Sequence, residues 1–398
     1  MRRFLSSACL LLLITGAALL NLHCASSSST TEAEDVPEEP TGPAYTLLSH
    51  ANDTLRVHHL HTDTQRPVRA GVARIKQHVD APTRNAVAFT YATPDSVHLA
   101  RYTLGHNRIE RVDARAQPAT YSIAWHPERN AFAYGVYTPT AEGNRGTGTI
   151  RIAEDGTTRS VGCSASTEVL AWLSDTQLAV RNDDNLYLVA ADDCATQATL
   201  DIRRHYHMTY DASRTRMAYV YRTLEYNREA DAYQPDSTLY VGNAAGAQET
   251  RLFGDDRAPR HATWAPNTPE LAASVLEDGQ RRLVVYSVES DETTFLVPPA
   301  TAPAGAQQHP HWSPTGDAVA FTLASDNRLQ AAVRQAGSTD LLQPATGPVW
   351  GWVDAQTLVV PTNDGLTLLD LNGSPLHTLP NKATLVGAWP ANAATNSD

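Results

Sequence analysis

His309-Pro-His-Trp312-Ser-Pro-Thr-Gly316-Asp-Ala-Val-Ala-Phe-Thr322 decides how this chain is read. A short segment ends in Trp, meets a Pro/Gly turn and resumes as an apolar strand, the pattern of a hairpin in a buried sheet. The same sentence of residues recurs. Close copies run Ala124-Trp125-His-Pro to Tyr134 and Ala262-Thr-Trp264-Ala-Pro to Ala273. Weaker ones are Ala171-Trp172 to Val180, Thr209-Tyr210 to Tyr219 and Gly351-Trp352 to Val360; Val79-Asp80 to Phe89 is the most degraded. The centre of the second strand falls at Ala88, Ala133, Ala179, Ala218, Ala272, Ala320 and Val359, a spacing of about 45 residues. That period predicts an all-β protein, a β-propeller of four-stranded blades.

Each unit continues with a third strand, such as Arg328-Leu-Gln-Ala-Ala-Val, and a short outer strand, such as Glu249-Thr-Arg-Leu-Phe. The ends are incomplete in complementary ways. Residues 44–49, 54–60 and 66–68 read as strands two to four of a unit that lacks its first strand, and Leu385-Val-Gly-Ala-Trp389-Pro reads as a first strand alone. Joined, they make one more blade and remove two sheet edges that would otherwise be open to aggregation. Eight blades of about 45 residues fit the span 44–390 better than seven, the runner-up.

Composition narrows the function classes. A formal net charge of −12 offers no electrostatic support for nucleic-acid binding. The only long apolar run is N-terminal, which excludes a polytopic membrane protein. The basic residues are nearly all Arg, with Lys only at Lys76 and Lys382. There is no Gly-x-Ser-x-Gly and no His-Glu-x-x-His, and the glycine-rich Gly143–Gly148 lacks the Lys-Ser/Thr of a phosphate loop. No catalytic residue, cofactor or metal is assigned.

Met1-Arg2-Arg3 and the uncharged apolar run that follows form an export signal over 1–23. Cys24 opens a Ser-rich, acidic stretch, 24–43, too poor in apolar residues to pack, hence a flexible tether. A Cys directly after the signal and before such a tether resembles a bacterial lipoprotein, a family whose Cys is diacylated. The resemblance implies a body held at the cell envelope by a lipid anchor at Cys24. Asn21-Leu22-His23 depart from the small residues that family places there, which leaves an uncleaved anchor or cleavage beyond Cys24 open. Every one of these routes puts the body outside the cytoplasm. Cys163 and Cys194 are then an even pair in an exported protein, so a disulfide is expected, against two separate thiols. Residues 391–398 are expected to be a disordered tail.

The Trp-Ser-Pro-x-Gly-x-x-x-Ala-Phe pattern over 312–321 resembles the TolB-type propeller repeat, found also in propellers of prolyl-oligopeptidase-like peptidases and in oligogalacturonate lyases. It covers essentially all of 44–390. The resemblance implies the fold and leaves function open, because one scaffold hosts many sites. Trp125, Trp172, Trp264, Trp312, Trp352 and Trp389 occupy one place in the unit and read as wedges between blades. The Asp/Asn-rich turns at 183–185, 326–327 and 363–365 lack the spaced ligands of a calcium loop.

One constellation stands apart. Three residues before the Trp/Tyr mark, the fourth, fifth and sixth full units carry His207, His261 and His309, with His205 and His311 two residues away. First strands line the channel of a propeller, so these imidazoles are expected to gather at one mouth, beside Arg203, Arg204 and Arg260. Such a set suits a transition metal, acid–base work or an anionic ligand; the plainer reading is repeat filler that hydrogen-bonds neighbouring blades. The longest loop between second and third strands is expected at Thr223–Asp236, with Tyr226 and Tyr233, on the same face. The favoured function is a monomeric, envelope-anchored, non-enzymatic scaffold that binds a protein or a glycan there. The alternative is a channel-site lyase or hydrolase on an acidic saccharide. The resemblance to oligogalacturonate lyase, whose metal is held by His and Gln, implies Gln307, Gln308, His309 and His311 as the right residue types.

Overall fold

The computed structural model describes residues 44–390 except 82–84, 105, 107, 117–118, 138–147, 165–166, 183–184, 201–204, 228–231, 246–247, 327, 339, 363 and 381–382, and leaves out the side chains of 137, 164, 167, 182, 200, 205–207, 222–227, 232–236, 255, 380 and 390. The expected signal, the tether with Cys24 and the C-terminal tail lie outside the described residues.

Eight four-stranded antiparallel sheets make up the described chain. Seven are sequential: blade 1 spans 74–116, blade 2 120–164, blade 3 167–200, blade 4 205–253, blade 5 260–295, blade 6 306–346 and blade 7 351–380. Blade 8 is composite. Tyr45–Ala51, Thr54–His59 and Thr64–Ala70 supply its outer three strands, and Thr384–Pro390 its first. Thr46 faces Trp389 and Leu47 faces Ala388, so the ring closes on its two termini. Among the described residues, helix is confined to two single turns, Leu60–Thr62 and Asp255–Arg257.

The first strand of each blade pairs only with the second, and the first strands of successive blades adjoin one another from blade 4 through 5, 6, 7, 8, 1 and 2 to blade 3. They are the channel-lining strands. The core has no single centre. It is split into eight apolar clusters, and each bridges one pair of neighbouring blades: Leu48, Val386 and Trp389 of blade 8 with Phe89 and Tyr102 of blade 1, or Leu283 of blade 5 with Phe321 of blade 6. Alternation along each strand buries one row of side chains against the blade before and the other against the blade after.

The repeated Trp does more than fill space. The indole N–H of Trp125 donates to Val79 O at 2.8 Å, Trp264 to Thr209 O at 3.3 Å, Trp312 to Thr263 O at 3.1 Å and Trp352 to His311 O at 2.8 Å. In each case the acceptor is the first strand of the preceding blade, one residue before its own mark. The spacing in sequence is thus the spacing between adjacent blades, and each bond satisfies an otherwise buried polar tip. Trp172 is the exception: its N–H has no acceptor among the described residues, and its ring instead meets His126 of blade 2 edge-on at 4.8 Å. A disulfide joins Cys163 at the end of blade 2 to Cys194 in the turn after the third strand of blade 3.

Candidate functional site

The channel wall at blades 5 and 6 is built by two β-bulges. In blade 5 the pairing slips between Arg260 and Thr263, and in blade 6 between Gln308 and His311. His261 and His309 sit in those bulges, both at φ +52°. A left-handed, non-glycine residue costs on the order of 1–3 kcal/mol and a bulge re-aims its side chain, so a repeated pair of such residues marks a place where direction matters. The two rings lie 4.0 Å apart, centroid to centroid, tilted by 43°. Imidazoles that the sequence separates by a whole blade are therefore neighbours.

Arg260, exposed, opens the first strand of blade 5. Arg281, on the third strand of that blade, is driven below its ordinary pKa by burial first and by the Arg260 charge second, and donates from Nη1 to Ala258 O at 3.0 Å. The two guanidinium groups thus repel each other. Arg257 alongside is already matched by Glu277. On a chain of formal charge −12, this stretch of wall is locally basic.

The remaining expected residues are placed differently. His309 is the fourth residue of Ala306–Trp312, mid-strand. His311 is partly buried; burial, then His309, lowers its pKa to about 4, and its carbonyl holds Trp352. It is a neutral joint between blades 6 and 7. Gln307 is fully buried and turned away from the channel: its O accepts from Ser274 Oγ and its Oε1 from Leu283 N, each at 2.9 Å, joining blades 5 and 6. Among the described residues no three His, Cys, Asp or Glu side chains converge as a metal site needs. His205 and His207 lie on the first strand of blade 4, His205–Tyr210, but their side chains, like Arg203 and Arg204, lie outside the described residues.

The loop expected at Thr223–Asp236 is instead a continuation of the ladder. Arg216–Asn227 and Ala232–Asn243 run on as a twelve-residue pair, with Tyr226 directly opposite Tyr233. The physical reason is that the backbone groups of 223–227 and 232–236 satisfy one another by continuing the register of the ladder below them. The tyrosine side chains lie outside the described set.

Two features escaped the sequence reading. Trp350 is the one Trp of seven off the repeat register, two residues before Trp352, and it is 43% exposed. That offset was visible in the sequence. The other is a histidine group on the outer part of blade 8, where His58 meets His377 of blade 7 at 6.3 Å and bonds Ser49 Oγ at 2.8 Å. No spacing announced it, because His58 and His377 meet only when the ring closes.

Comparison with solved structures adds the fold and stops there. A eukaryotic initiation factor aligns with a TM-score of 0.54 at 9% identity, over 86% of this chain and 96% of that one. The β-propeller domain of the Trilobed protease from Pyrococcus furiosus, described as having an open velcro topology, aligns at 0.50 and 12%, over 78% and 97%. TolB from Acinetobacter baumannii aligns at 0.39 and 12%, over 78% and 66%. The chain is an eight-bladed β-propeller with TolB proteins among its structural neighbours. No protein-family model and no curated protein matches the sequence. Identities this low carry no activity across to this ring.

Proposed function

We propose that this chain is an envelope-tethered, non-enzymatic propeller, lipid-anchored at Cys24, whose channel wall at blades 5 and 6 captures a protein or glycan through an anionic group. The observation that carries the reading is the His261–His309 pair, held left-handed in matching bulges, with Arg260 next to His261 in sequence. Other described first strands carry the mark without a left-handed residue three places before it, so the strain is particular to blades 5 and 6. The basic wall supplies donors and positive potential for a carboxylate or phosphate, and the rigid ring pre-organises them.

The test has two arms. Radiolabelled palmitate is expected to enter the wild-type protein in its native envelope and not a Cys24→Ser variant. Cross-linking in that envelope is expected to trap one partner, lost in Arg260→Glu/His261→Ala with the melting temperature unchanged. Salt-insensitive capture, or capture intact in the double variant, would overturn the site. Cleavage of oligouronates by the purified protein would overturn the non-enzymatic reading.

A further inference from the structure

A second recess opens on the same channel, across blades 7, 8 and 1. Its walls are His78 and Asp80 of blade 1, Trp350, Gly351 and Trp352 of blade 7, and Val386–Ala388 of blade 8, around a shallow space of about 120 Å³ partly open to solvent. We propose that this recess binds an uncharged pyranose ring of a glycan, with Trp350 as the stacking platform.

The platform is exposed yet fixed. Gly347 N donates to Leu329 O at 2.7 Å, Val349 N to Thr322 Oγ1 at 3.1 Å and Trp350 N to Val359 O at 2.9 Å. Val349 is buried, and a Cβ on Gly347 would stand 2.2 Å from Pro361 O. The segment 347–350 is therefore pinned along its length, and the indole at its end is held out of the core. An exposed Trp is uncommon and costs free energy in water, so a rigidly presented one points to a ligand that covers it. His78 stands edge-on to it, the rings 6.4 Å apart at 81°, so the two form a floor and a wall.

Two points of the remaining surface are bare backbone, among the apolar Val359, Leu385 and Val386. A Cβ added at Gly351 would meet nothing within 4 Å, so the missing side chain is what keeps the space open. At Gly387 a Cβ would stand 2.4 Å from the Trp389 ring, which enforces glycine at that point of the blade 8 wall.

Ligand class follows from this mixture. A pyranose has one face of C–H groups, which the negative face of an indole attracts, and a rim of hydroxyls that need donors and acceptors. Asp80 accepts such hydroxyls, and His78 both donates and accepts. A cation would suit Trp350 and Asp80, but Arg74 and Lys76, exposed on the same strand, oppose it. An uncharged polyhydroxyl ring is the class that meets every group present. This inference names a ligand class for the channel and rests on the proposed function only in taking the channel as the binding surface.

Calorimetric titration of the purified propeller with three uncharged tetrasaccharides tests it: α-linked glucose, β-linked glucose and N-acetylglucosamine. At least one is expected to bind with a Kd of roughly 0.1–1 mM, as suits a shallow single-ring site. Trp350→Ala should weaken that binding at least about tenfold, Asp80→Asn severalfold, and Trp350→Phe least. Arg260→Glu/His261→Ala should leave it unchanged. Trp350 is half-exposed, so its variants are expected to melt with the wild type. Absence of binding by all three sugars up to about 10 mM overturns the inference, as does equal binding by Trp350→Ala. Binding of N-acetyl-arginine amide in place of the sugars reassigns the recess to a cation. In each of those outcomes, retained cross-linking through Arg260 and His261 leaves the proposed function standing.

Discussion

Trp389→Ala probes the closure of the ring where it is most exposed to failure. Trp389 is the last apolar anchor of Thr384–Pro390, the single strand by which the C-terminus enters blade 8. Its side chain is 1% exposed, lies 5.5 Å from Tyr102 of blade 1 and shares a cluster with Leu48, Leu55, Val57 and Phe89. Truncating so large a buried ring removes its transfer free energy and leaves a cavity, about 3–5 kcal/mol together. The neighbourhood cannot collapse easily, because the facing sides of blades 8 and 1 are both packed around it. The loss should be localised as well as large. Urea unfolding followed by circular dichroism gives the total, and hydrogen exchange at the amides of Tyr45–Ala51 shows whether the terminal strand opens first. Trp350→Ala is the internal control, expected within about 1 kcal/mol of wild type because the residue is 43% exposed. A Trp389→Ala protein no less stable than that control, or one whose Tyr45–Ala51 amides exchange as slowly as wild type, would refute closure by the C-terminal strand.

Three further outcomes follow from the same structure. Cys163→Ser should cost about 3–4 kcal/mol, since the disulfide closes a loop of sequence separation 31, and equal unfolding midpoints with and without reductant would contradict it. His58 is 8% exposed and its pKa is lowered to about 4 by burial, then by His377, Arg56 and His59. A depressed folded-state pKa means that the contribution is complete above the unfolded value of 6.5 and is lost as pH falls from there through about 4. Stability should therefore drop by up to about 3 kcal/mol between pH 7 and pH 4, and His58→Gln should flatten that slope in paired urea titrations. Trp312→Phe keeps most of the apolar wedge but leaves Thr263 O without its donor, at a cost of about 1–2 kcal/mol; a melting curve identical to wild type would show that the repeated indole bond is dispensable.

Much of this ring was legible in one dimension. The Trp mark, the Pro/Gly turn and the apolar second strand are local features, and propeller blades are local structures, each built from consecutive hairpins. Repetition then multiplies a weak signal, so the blade count and the shared eighth blade follow from the spacing and from two incomplete ends. The candidate site was legible as far as residue types, because His261 and His309 hold one register position in successive units. The hairpin of blade 4 was misjudged as a loop because its length dominated the reading.

The sequence by itself determined an all-β ring of eight units, closed by its own ends, with Trp at the seams. Only tertiary structure decided which side chains face the channel. A single bulge reverses the alternation of a strand, so Gln307 turns inward to tie blades 5 and 6 while His309, two residues on, turns to meet His261. Likewise, Trp350 and His78 are brought together only because ring closure places blade 8 between blades 7 and 1. Direction and long-range juxtaposition are set by packing around an axis, and no local pattern of residue types encodes them.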